Sequence, residues 1–355
     1  RPRCARNCTV ARASQCVLGV FVSTFFYFLL VLRTVRGTGA AASFVPFLSV
    51  TCVLVFAVIS VGVLIFFIHR VSSSILADNL IARVASELRE GVDRLFPDSL
   101  AENDDDGSRA EESAEETARM ETPAYEMNAL TSGFIQAVDA DRLFKLACEK
   151  ELLMRLRRRP GDFVAEGELL AEVWPREKAG KKVAEALNDA FYFGWQRTPT
   201  QDVEYSIDQL VEVAVRALSP GINDPFTAIT CIEWLGSALI QVGERKMPSR
   251  CGRDEAGTLH LVTDATDFAG IVSACLDQIR EYGCTSVAVT VCLLDVIQRV
   301  GGKISGRSRR EVLAEHARKI RDAGVKNAGN ENDRRKIVEF FEAAGKKLHP
   351  GRTSS

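Results

Sequence analysis

The segment at residues 216–230, RALSPGINDPFTAIT, holds the residues that come closest to a chemical site. A helical pattern stops at Ser-Pro-Gly, an Asn-Asp pair follows, and an apolar run starts after a second proline. In a functional interpretation, the N-terminus of the second helix forms a polar pocket for an anion with Asn223 and Arg216, although Asp224 opposes an anion. The residues of this candidate corner are Arg216, Ser219, Pro220, Gly221, Asn223, Asp224, Pro225 and Thr227.

The same corner also has a structural interpretation, as a bend between two helices. Pro220 disfavours helix in the residue before it, and Gly221 tolerates left-handed backbone. Asp224 stands where an N-cap is expected, with Pro225 at the first helical position. Asn223 is the residue whose side chain no capping rule requires. The bend is the interpretation that explains more of these residues.

The alternative to a bend is a chemical site that also uses Glu204 or Asp208.

The chain has ten cysteines but no Cys-x-x-Cys pair. It has no phosphate loop, nucleophile elbow or dinucleotide fingerprint. The four histidines are His69, His260, His316 and His349. None of them has another histidine or a cysteine within one helix turn at the spacing that a metal site needs. We therefore predict no catalytic residue, no metal and no cofactor, and we favour a protein that is not an enzyme.

Two long uncharged segments dominate the first part of the chain, at residues 13–32 and 44–68. A helix needs roughly 20 apolar residues to cross a bilayer. We predict transmembrane helices at about 14–35 and 44–68. A soluble core rarely needs a helix that is apolar on every face, which disfavours two buried core helices.

Basic residues set the expected orientation of these two helices. Arginines precede the first segment and follow the second, while the loop between them has only Arg33 and Arg36. Lys and Arg concentrate on the cytoplasmic side of membrane proteins. We predict a multi-pass protein of a bacterial inner or plasma membrane with both its N- and C-terminal parts in the cytoplasm. Unpaired cysteines agree with that compartment.

The composition divides the chain into five regions. Residues 98–121 carry ten acidic residues against two arginines and have little to bury. The predicted regions are transmembrane helices and a cytosolic stalk helix at 1–97, an acidic disordered linker at 98–121, a small β-rich module with a helix at 122–204, a helical bundle at 205–345 and a disordered tail at 346–355. The predicted fold class is membrane α-helical plus cytosolic α+β.

Two local patterns refine the cytosolic regions. The run PGDFVAEGELLAEV at 160–173, together with SGFIQAV at 132–138, suggests a barrel-sandwich-like module. Carriers of this type present a lysine on a tight hairpin, and no such hairpin occurs here, which argues against a prosthetic group. Ser206 and Gln209 have capping-box spacing and predict the start of the bundle's first helix.

The chain closely resembles the predicted integral membrane proteins catalogued as domain of unknown function 2254. The resemblance rests on RALSPGINDPFTA, preceded by YSIDQLVEVA, and on LGVFVSTFFYFLLVLRTV, FVPFLSV, FIHRVSSSI, SGFIQAVD and PGDFV. It covers most of the chain and implies the membrane architecture. It also implies that a first pair of spans precedes Arg1. No biochemical activity comes with it.

The basic C-terminal region indicates partners. Residues 303–352 hold fourteen Lys or Arg against seven acidic residues, which suits contact with anionic lipid, whereas no nucleic-acid partner is expected. We expect the bilayer as a partner and leave homo-oligomerisation open. The activity is left unknown, with a channel-like, transport-associated or sensor protein as the leading interpretation. The alternatives are a membrane-anchored enzyme with its site at the corner and a membrane scaffold.

Overall fold

The structure is a computed structural model that describes residues 19, 21–33, 47–74, 77–96 and 114–349. The chain divides into two compact units, Arg1–Leu80 and Ile81–Ser355. The first unit contains helices α1, Phe21–Arg33, and α2, Phe47–Ser74. Helix α3, Ala77–Leu95, starts in the first unit and continues into the second.

The helices of the first unit expose large apolar side chains. Tyr27 of α1 and Phe56 of α2 meet edge to face, with ring centroids 5.6 Å apart. Most other large side chains point outward, among them Val22, Phe25, Phe26, Leu30, Leu54, Val58 and Ile65. A continuous apolar surface of this kind is unfavourable in water and is typical of helices that face lipid.

The described helices do not confirm the predicted pair of spans. The apolar runs with described side chains are Phe21–Arg33 and Thr51–Ile65, both shorter than about 20 residues. Parts of both predicted spans lie outside the described residues. Among the described helices, one is long and apolar enough to cross a membrane, namely Pro225–Glu244. Half of it is buried, so the core of the second unit accounts for its apolar face.

After its Ile81–Leu95 part of α3, the second unit contains two sheets with two short helices packed against them. The strands are β1 Tyr125–Asn128, β2 Gly133–Val138, β3 Leu153–Leu156, β4 Phe163–Val164, β5 Leu169–Trp174, β6 Phe191–Gly194, β7 Cys251–Arg253 and β8 Leu259–Val262. One sheet has the order β1-β5-β3-β8-β7 and the other β4-β2-β6. Helices α5, Ala140–Lys150, and α6, Lys181–Ala190, add Leu143 and Leu187 to their shared core.

The barrel-sandwich-like arrangement is not confirmed. Strands β7 and β8 come from within the segment predicted as a helical bundle, and β8 pairs in parallel with β3, Met154 opposite Leu261. These two strands complete the larger sheet with residues about a hundred positions away. The module and the bundle therefore share a sheet, which corrects the division at residue 204/205.

Six helices form the remainder of the second unit. They are α7 Val203–Ala217, α8 Pro225–Glu244, α9 Phe268–Gly283, α10 Val287–Gly301, α11 Arg307–Asn327 and α12 Glu331–Leu348. Helix α10 packs against α8, α11 and α12. Gly236 permits the approach of α8 and α10, because a Cβ atom there would lie 2.8 Å from the side chain of Val296.

Helix α7 starts one turn earlier than the capping-box pattern predicts. Its N-cap is Asp202, whose carboxylate accepts a hydrogen bond from the backbone N–H of Tyr205 at 3.0 Å. Ser206 is buried inside the helix, so the predicted capping box is wrong. The acidic residue at 202 is the better cap because its side chain is bonded both to the helix and to Arg197.

The predicted disordered regions need correction at their edges. Ala114–Met120 forms helix α4, and Glu116 pairs with Arg253 at 2.5 Å. This pair attaches the end of the acidic segment to strand β7, and residues 98–113 lie outside the described part. Helix α12 continues to Leu348, beyond the predicted start of the tail at 346, and residues 350–355 lie outside the described part.

Candidate functional site

A cavity of about 290 Å³ lies within the second unit, where the β-rich module meets the helical bundle. Its volume is near the lower limit of small-molecule sites. Apolar and polar groups share its wall. The apolar ones include Leu95, Phe96, Val138, Leu156, Pro160, Val203 and Pro248, and the polar ones Arg158, Arg159, Gln201, Asp202, Glu204, Thr263, Asp264 and Thr266.

A bidentate ion pair between Arg159 and Glu204 is the main polar feature of the wall. The Arg159 Nη1 and Nη2 atoms donate to the two carboxylate oxygens at 3.1 and 2.9 Å. The Thr266 hydroxyl donates to Glu204 Oε1 at 2.5 Å and also contacts the Arg159 guanidinium. The Arg159 side chain is 33% exposed and that of Glu204 20%, so the pair is partly shielded and stronger than a surface pair.

A tight turn after β3 positions Arg159. The Asp162 carboxylate accepts a hydrogen bond from the Arg159 backbone N–H at 3.0 Å, and Gly161 N–H donates to Ile135 O at 2.8 Å. Gly161 has φ +101°, and a Cβ atom there would lie within 2.4 Å of Asp202 Oδ2. The turn at Pro160–Gly161 needs glycine for both reasons.

A second charged network holds the first turn of α7 beside the cavity. Arg197 donates to Asp202 Oδ2 at 2.8 Å and to Asp208 Oδ2 at 2.6 Å, and its guanidinium lies 5.5 Å from the Tyr205 ring centroid. Desolvation alone would lower the pKa of Arg197, but its bonds to the two carboxylates outweigh that effect and raise it. Burial raises the pKa of Asp208, against the opposing effect of Arg197. The network rigidifies the segment that carries Glu204.

The end of helix α3 forms part of the apolar wall through Leu95 and Phe96. The preceding Arg94 donates to the backbone carbonyls of Pro199 and Thr200 at 2.7 and 3.0 Å. These bonds link α3 to the segment that leads into α7. Consequently the last turn of α3 is fixed against two parts of the cavity wall.

The polar side chains of the wall differ in how far they are already bonded. Among the described residues that line it, no side chain is Cys, His, Ser or Lys, and the Thr266 hydroxyl is already bonded to Glu204. Gln201 uses its amide to pair with both backbone groups of Val138, at 2.8 and 3.2 Å. Arg158 is 35% exposed, and its bonds to Leu169 O and Glu168 Oε2 are both 3.4 Å long. Arg158 is therefore the cation best placed to bind an anionic ligand group.

The corner predicted at residues 216–227 is a capped bend. The Asp224 carboxylate accepts from the backbone N–H groups of Phe226 and Thr227 at 3.1 and 3.2 Å and from the Thr227 hydroxyl at 2.6 Å. The Thr227 hydroxyl bond contributes most to lowering the pKa of Asp224. The predicted N-cap and the proline at the first helical turn are confirmed. Asn223 has φ +50°, a left-handed conformation that asparagine tolerates better than most residues.

The structure does not bring the residues of the alternative site together. Arg216 pairs with Glu212 at 2.6 Å on an exposed helix face. Glu204 and Asp208 lie at the opposite end of α7, and twelve residues of helix separate Glu204 from Arg216 by about 18 Å. Ser219 and its neighbours bond within the bend, since Ser219 O accepts from the Asn223 N–H at 2.9 Å. Glu204 belongs to the cavity, and the corner stands apart from it.

A second group of residues resembles a catalytic triad in composition only. Ser273 Oγ lies 3.2 Å from His316 Nε2, and Asp277 Oδ1 lies 3.8 Å from the same nitrogen. The other ring nitrogen, Nδ1, bonds to Val312 O at 3.0 Å. A triad needs its acid at the nitrogen opposite the nucleophile. Furthermore, the described residues contain no group of three or more His, Cys, Asp or Glu side chains that could hold a metal ion.

Sequence reasoning missed most of the cavity. Glu204 was considered only with the distant corner, and neither Arg159 nor Thr266 was singled out. The available signal was the unusual run Arg157–Arg159 directly before a Pro-Gly turn, because three arginines at the end of a strand need partners. The partners of Arg159, however, are Glu204 and Thr266, which lie 45 and 107 positions further along the chain.

These features define the class of the protein: exposed apolar helices followed in the sequence by a mixed α+β unit with a small cavity. Residues 1–299 match the family described as "Predicted membrane protein (DUF2254)". The chain belongs to this family, as its sequence motifs indicate. It is therefore a predicted membrane protein, and the family description gives no activity.

The curated relatives are uncharacterized proteins of mycobacteria. One is from Mycobacterium bovis and two are from strains of Mycobacterium tuberculosis. Each is 30% identical over 329 residues, which cover 92% of this chain and 62% of the relative. The chain thus spans less than two thirds of the length of these relatives. No solved structure matches the chain.

Proposed function

We propose that this protein is a membrane-anchored sensor that binds a small anionic molecule in the cavity beside Arg158 and Arg159. One observation carries the proposal. The cavity wall includes Leu95 and Phe96, at the end of α3, and α3 follows the apolar helix α2 in the sequence. A ligand in the cavity therefore contacts the helix through which the second unit is joined to the apolar unit.

The proposed arrangement places α1 and α2 across a bacterial inner membrane, with both chain ends in the cytoplasm. Their outward-facing apolar side chains and the basic residues on the outer flanks support this arrangement. Reporter fusions test it: a fluorescent protein after Ser355 should be bright, and alkaline phosphatase at the same point inactive. Active phosphatase there would contradict the orientation.

The wall chemistry defines the proposed ligand. Arg158 has only long hydrogen bonds and can donate two parallel bonds to a carboxylate or phosphate. Phe96, Leu156 and Pro248 offer an apolar surface on the same cavity. A cavity of about 290 Å³ holds a molecule of a few carbon atoms beside such a group. We expect a small organic anion with an apolar part.

Transmission of binding would start at the last turn of α3. Leu95 and Phe96 would contact the ligand, whereas the Arg94 side chain ties the same turn to Thr200 O and Arg245 holds the backbone carbonyl of Val92. A ligand that favours one position of this turn shifts the population of α3 positions by its differential affinity. Helices transmit such shifts along their length as rigid elements.

A ligand screen with a filled-cavity variant tests the proposal. The full chain in detergent is screened against small organic anions by thermal unfolding, in parallel with Ala265→Phe, which places a ring in the cavity wall. A ligand at a hundredfold its Kd stabilises the native state by about 2.7 kcal/mol. We expect a hit to raise the Tm of the wild type by several degrees and that of Ala265→Phe by much less.

The matched control is Ala256→Phe, the same substitution in the exposed turn between β7 and β8. It should respond to the hit like the wild type. Hydrogen–deuterium exchange then reports coupling, since the ligand should slow exchange in residues 88–96. If no anion distinguishes wild type from Ala265→Phe, or if α3 exchange is unchanged by a bound ligand, the sensor proposal is wrong.

A further inference from the structure

A groove between α11 and α12 differs from the cavity in size and in charge. It has a volume of about 900 Å³. Its α11 side is formed by residues that share one helix face, since most of them have a neighbour three or four positions away, namely Arg307, Arg310, Glu311, Ala314, Ala317 and Arg318. The α12 side is formed by Phe341, Gly345 and Leu348, and His349 follows the helix.

Small and apolar residues give the groove its floor. Gly345 leaves open space at this floor, because a Cβ atom there would meet no other atom within 4 Å. In contrast, Cβ atoms at the helical glycines Gly301 and Gly324 would lie 2.6 and 2.5 Å from Leu348 and Thr290. Glycine disfavours helix relative to alanine. Packing within the described chain explains Gly301 and Gly324 but not Gly345.

Arginines form the rim of the groove. Arg307 is 89% exposed and pairs with Glu311 at 2.9 Å. Arg310 donates to Ile304 O at 2.8 and 3.2 Å, and Arg318 donates through Nε to Ala314 O at 3.3 Å. Three guanidinium groups against one carboxylate give the groove a net positive charge. Each arginine is held near the groove by a bond that leaves other N–H donors for a ligand.

We propose that this groove binds the headgroup of an anionic phospholipid, with the first part of an acyl chain over Gly345. The guanidinium groups match the phosphate in charge and in hydrogen-bonding geometry. The floor of Phe341, Leu348 and Ala314 offers an apolar surface that a free phosphate cannot use. A membrane protein meets such lipids at the bilayer surface. The proposal is independent of the cavity and of its ligand.

The test uses the full chain, solubilised in detergent and stripped of lipid, with bound lipid counted by native mass spectrometry. Phosphatidylglycerol and phosphatidylcholine with the same acyl chains are added back separately. We expect tighter binding of phosphatidylglycerol. Gly345→Leu fills the groove without removing a charge and should weaken that binding about tenfold or more. Arg318→Gln removes one rim charge and should weaken it about fivefold.

The matched control is Arg335→Gln, which removes an arginine of α12 that pairs with Glu339 outside the groove. Its Kd for phosphatidylglycerol should lie within about twofold of the wild-type Kd, because the electrostatic attraction of the lipid to one distant, exposed charge is largely screened. Circular dichroism checks that Gly345→Leu is folded, and Gly345→Ala supplies a milder variant. Equal binding of phosphatidylcholine, wild-type binding by a folded Gly345→Leu, or displacement of the lipid by inorganic phosphate would each overturn the proposal.

Discussion

Arg245 donates a hydrogen bond through Nη1 to the backbone carbonyl of Val92 at 3.0 Å, across 153 positions of sequence. The same nitrogen reaches Phe96 O at 3.4 Å, and Nη2 pairs with Asp93 Oδ1 at 2.6 Å. The Val92 carbonyl also accepts the backbone N–H of Phe96 at 3.0 Å, so Arg245 adds a second bond to this carbonyl. Through its bonds to Val92 O and Phe96 O the guanidinium caps the last turn of α3, and it ties the cavity end of α3 to the residue that ends α8.

Replacement of this cap should loosen α3 before it affects the rest of the fold. Arg245→Met keeps the length of the side chain but removes its charge-assisted bonds. We expect a loss of about 1–3 kcal/mol in the free energy of unfolding. Urea unfolding measures the loss, and hydrogen–deuterium exchange of residues 88–96 should become faster.

A matched control for this prediction is Arg216→Met, which removes an arginine paired with Glu212 on an exposed face of α7. Exposed pairs four residues apart in a helix contribute only about 0.3–0.5 kcal/mol. A similar loss in both variants would show that Arg245 contributes no more than a surface arginine.

The second prediction concerns the ion pair in the cavity wall. Glu204→Gln leaves Arg159 without its bidentate partner in a partly shielded position. We expect a loss of about 1–2 kcal/mol in the free energy of unfolding, less than for a fully buried pair because both groups keep some solvent contact. The double variant with Arg159→Met should lose less than the sum of the two single losses.

A double-mutant cycle measured by urea unfolding supplies this comparison. The coupling energy between Arg159 and Glu204 should be about 1–2 kcal/mol. The pair Lys181 and Glu185, 3.8 Å apart and largely exposed, is the control cycle and should give a coupling near zero. Additive losses at Arg159 and Glu204 would contradict a structural role for the pair.

The third prediction is a pH dependence of stability from Asp254 in the β7–β8 hairpin. Its pKa lies below the ordinary value of 3.8, chiefly because the Thr258 N–H donates to it at 2.8 Å and also because His260 bonds to it at 3.0 Å. A carboxyl with a lowered folded pKa adds stability above its unfolded pKa. That contribution is lost as the pH falls through the lower, folded pKa.

Asp254→Asn tests this sign directly. The variant should unfold at lower urea concentration than the wild type at pH 6, and the difference should shrink as the pH falls from about 5 to below the ordinary pKa. Glu255→Gln, at the adjacent exposed position, is the control and should differ little from the wild type at any of these pH values. A constant difference for Asp254→Asn would contradict the assignment.

The fourth prediction compares two glycines with opposite surroundings. Gly236→Ala forces a Cβ atom against Val296 between α8 and α10, and overpacking of this kind costs about 1–3 kcal/mol. Gly345→Ala meets open space and should stabilise α12 by up to about 1 kcal/mol. Thermal unfolding should therefore move in opposite directions for the two variants, and a shift in the same direction would be inconsistent with the packing.

Sequence reasoning found the elements that depend on local signals. The N-cap at Asp224 and the proline at the first helical position of α8 follow from short patterns, and the structure has both. Helix α6 and strand β6 were missed, because Lys181–Ala190 is a short amphipathic run without a capping side chain.

The cavity depends on contacts that no local pattern contains. Arg159 and Glu204 are 45 positions apart, and Glu204 and Thr266 are 62 apart. The parallel pairing of β3 with β8 brings these segments to one place. Parallel pairing requires a long crossover, and a single sequence gives no register for it. A mostly helical fold with a small sheet region was thus within reach from the sequence, and the cavity was not.

The last prediction concerns Asn223, where the corner departs most from ordinary helix geometry. Its φ of +50° suits glycine and asparagine. In most other residues the Cβ atom lies too close to the following carbonyl oxygen in this conformation, which lowers the free energy of unfolding by about 1–2 kcal/mol. If the corner is a bend, Asn223→Gly should keep the stability of the wild type within a few tenths of a kcal/mol, and Asn223→Ala should lower it by about 1 kcal/mol.

A chemical role for the Asn223 side chain predicts a different ranking. In that case Asn223→Gly and Asn223→Ala lose function equally, because both lack the amide, whatever their stability. Urea unfolding of both variants tests the bend, because a conformational role ranks the stability of Asn223→Gly above that of Asn223→Ala. We expect Asn223→Gly to match the wild type in this measurement, because Asp224 and Thr227 already hold the helix start at 2.6 Å and Ser219 O receives the Asn223 N–H. The conformation at residue 223, and not its amide group, is then what the bend requires.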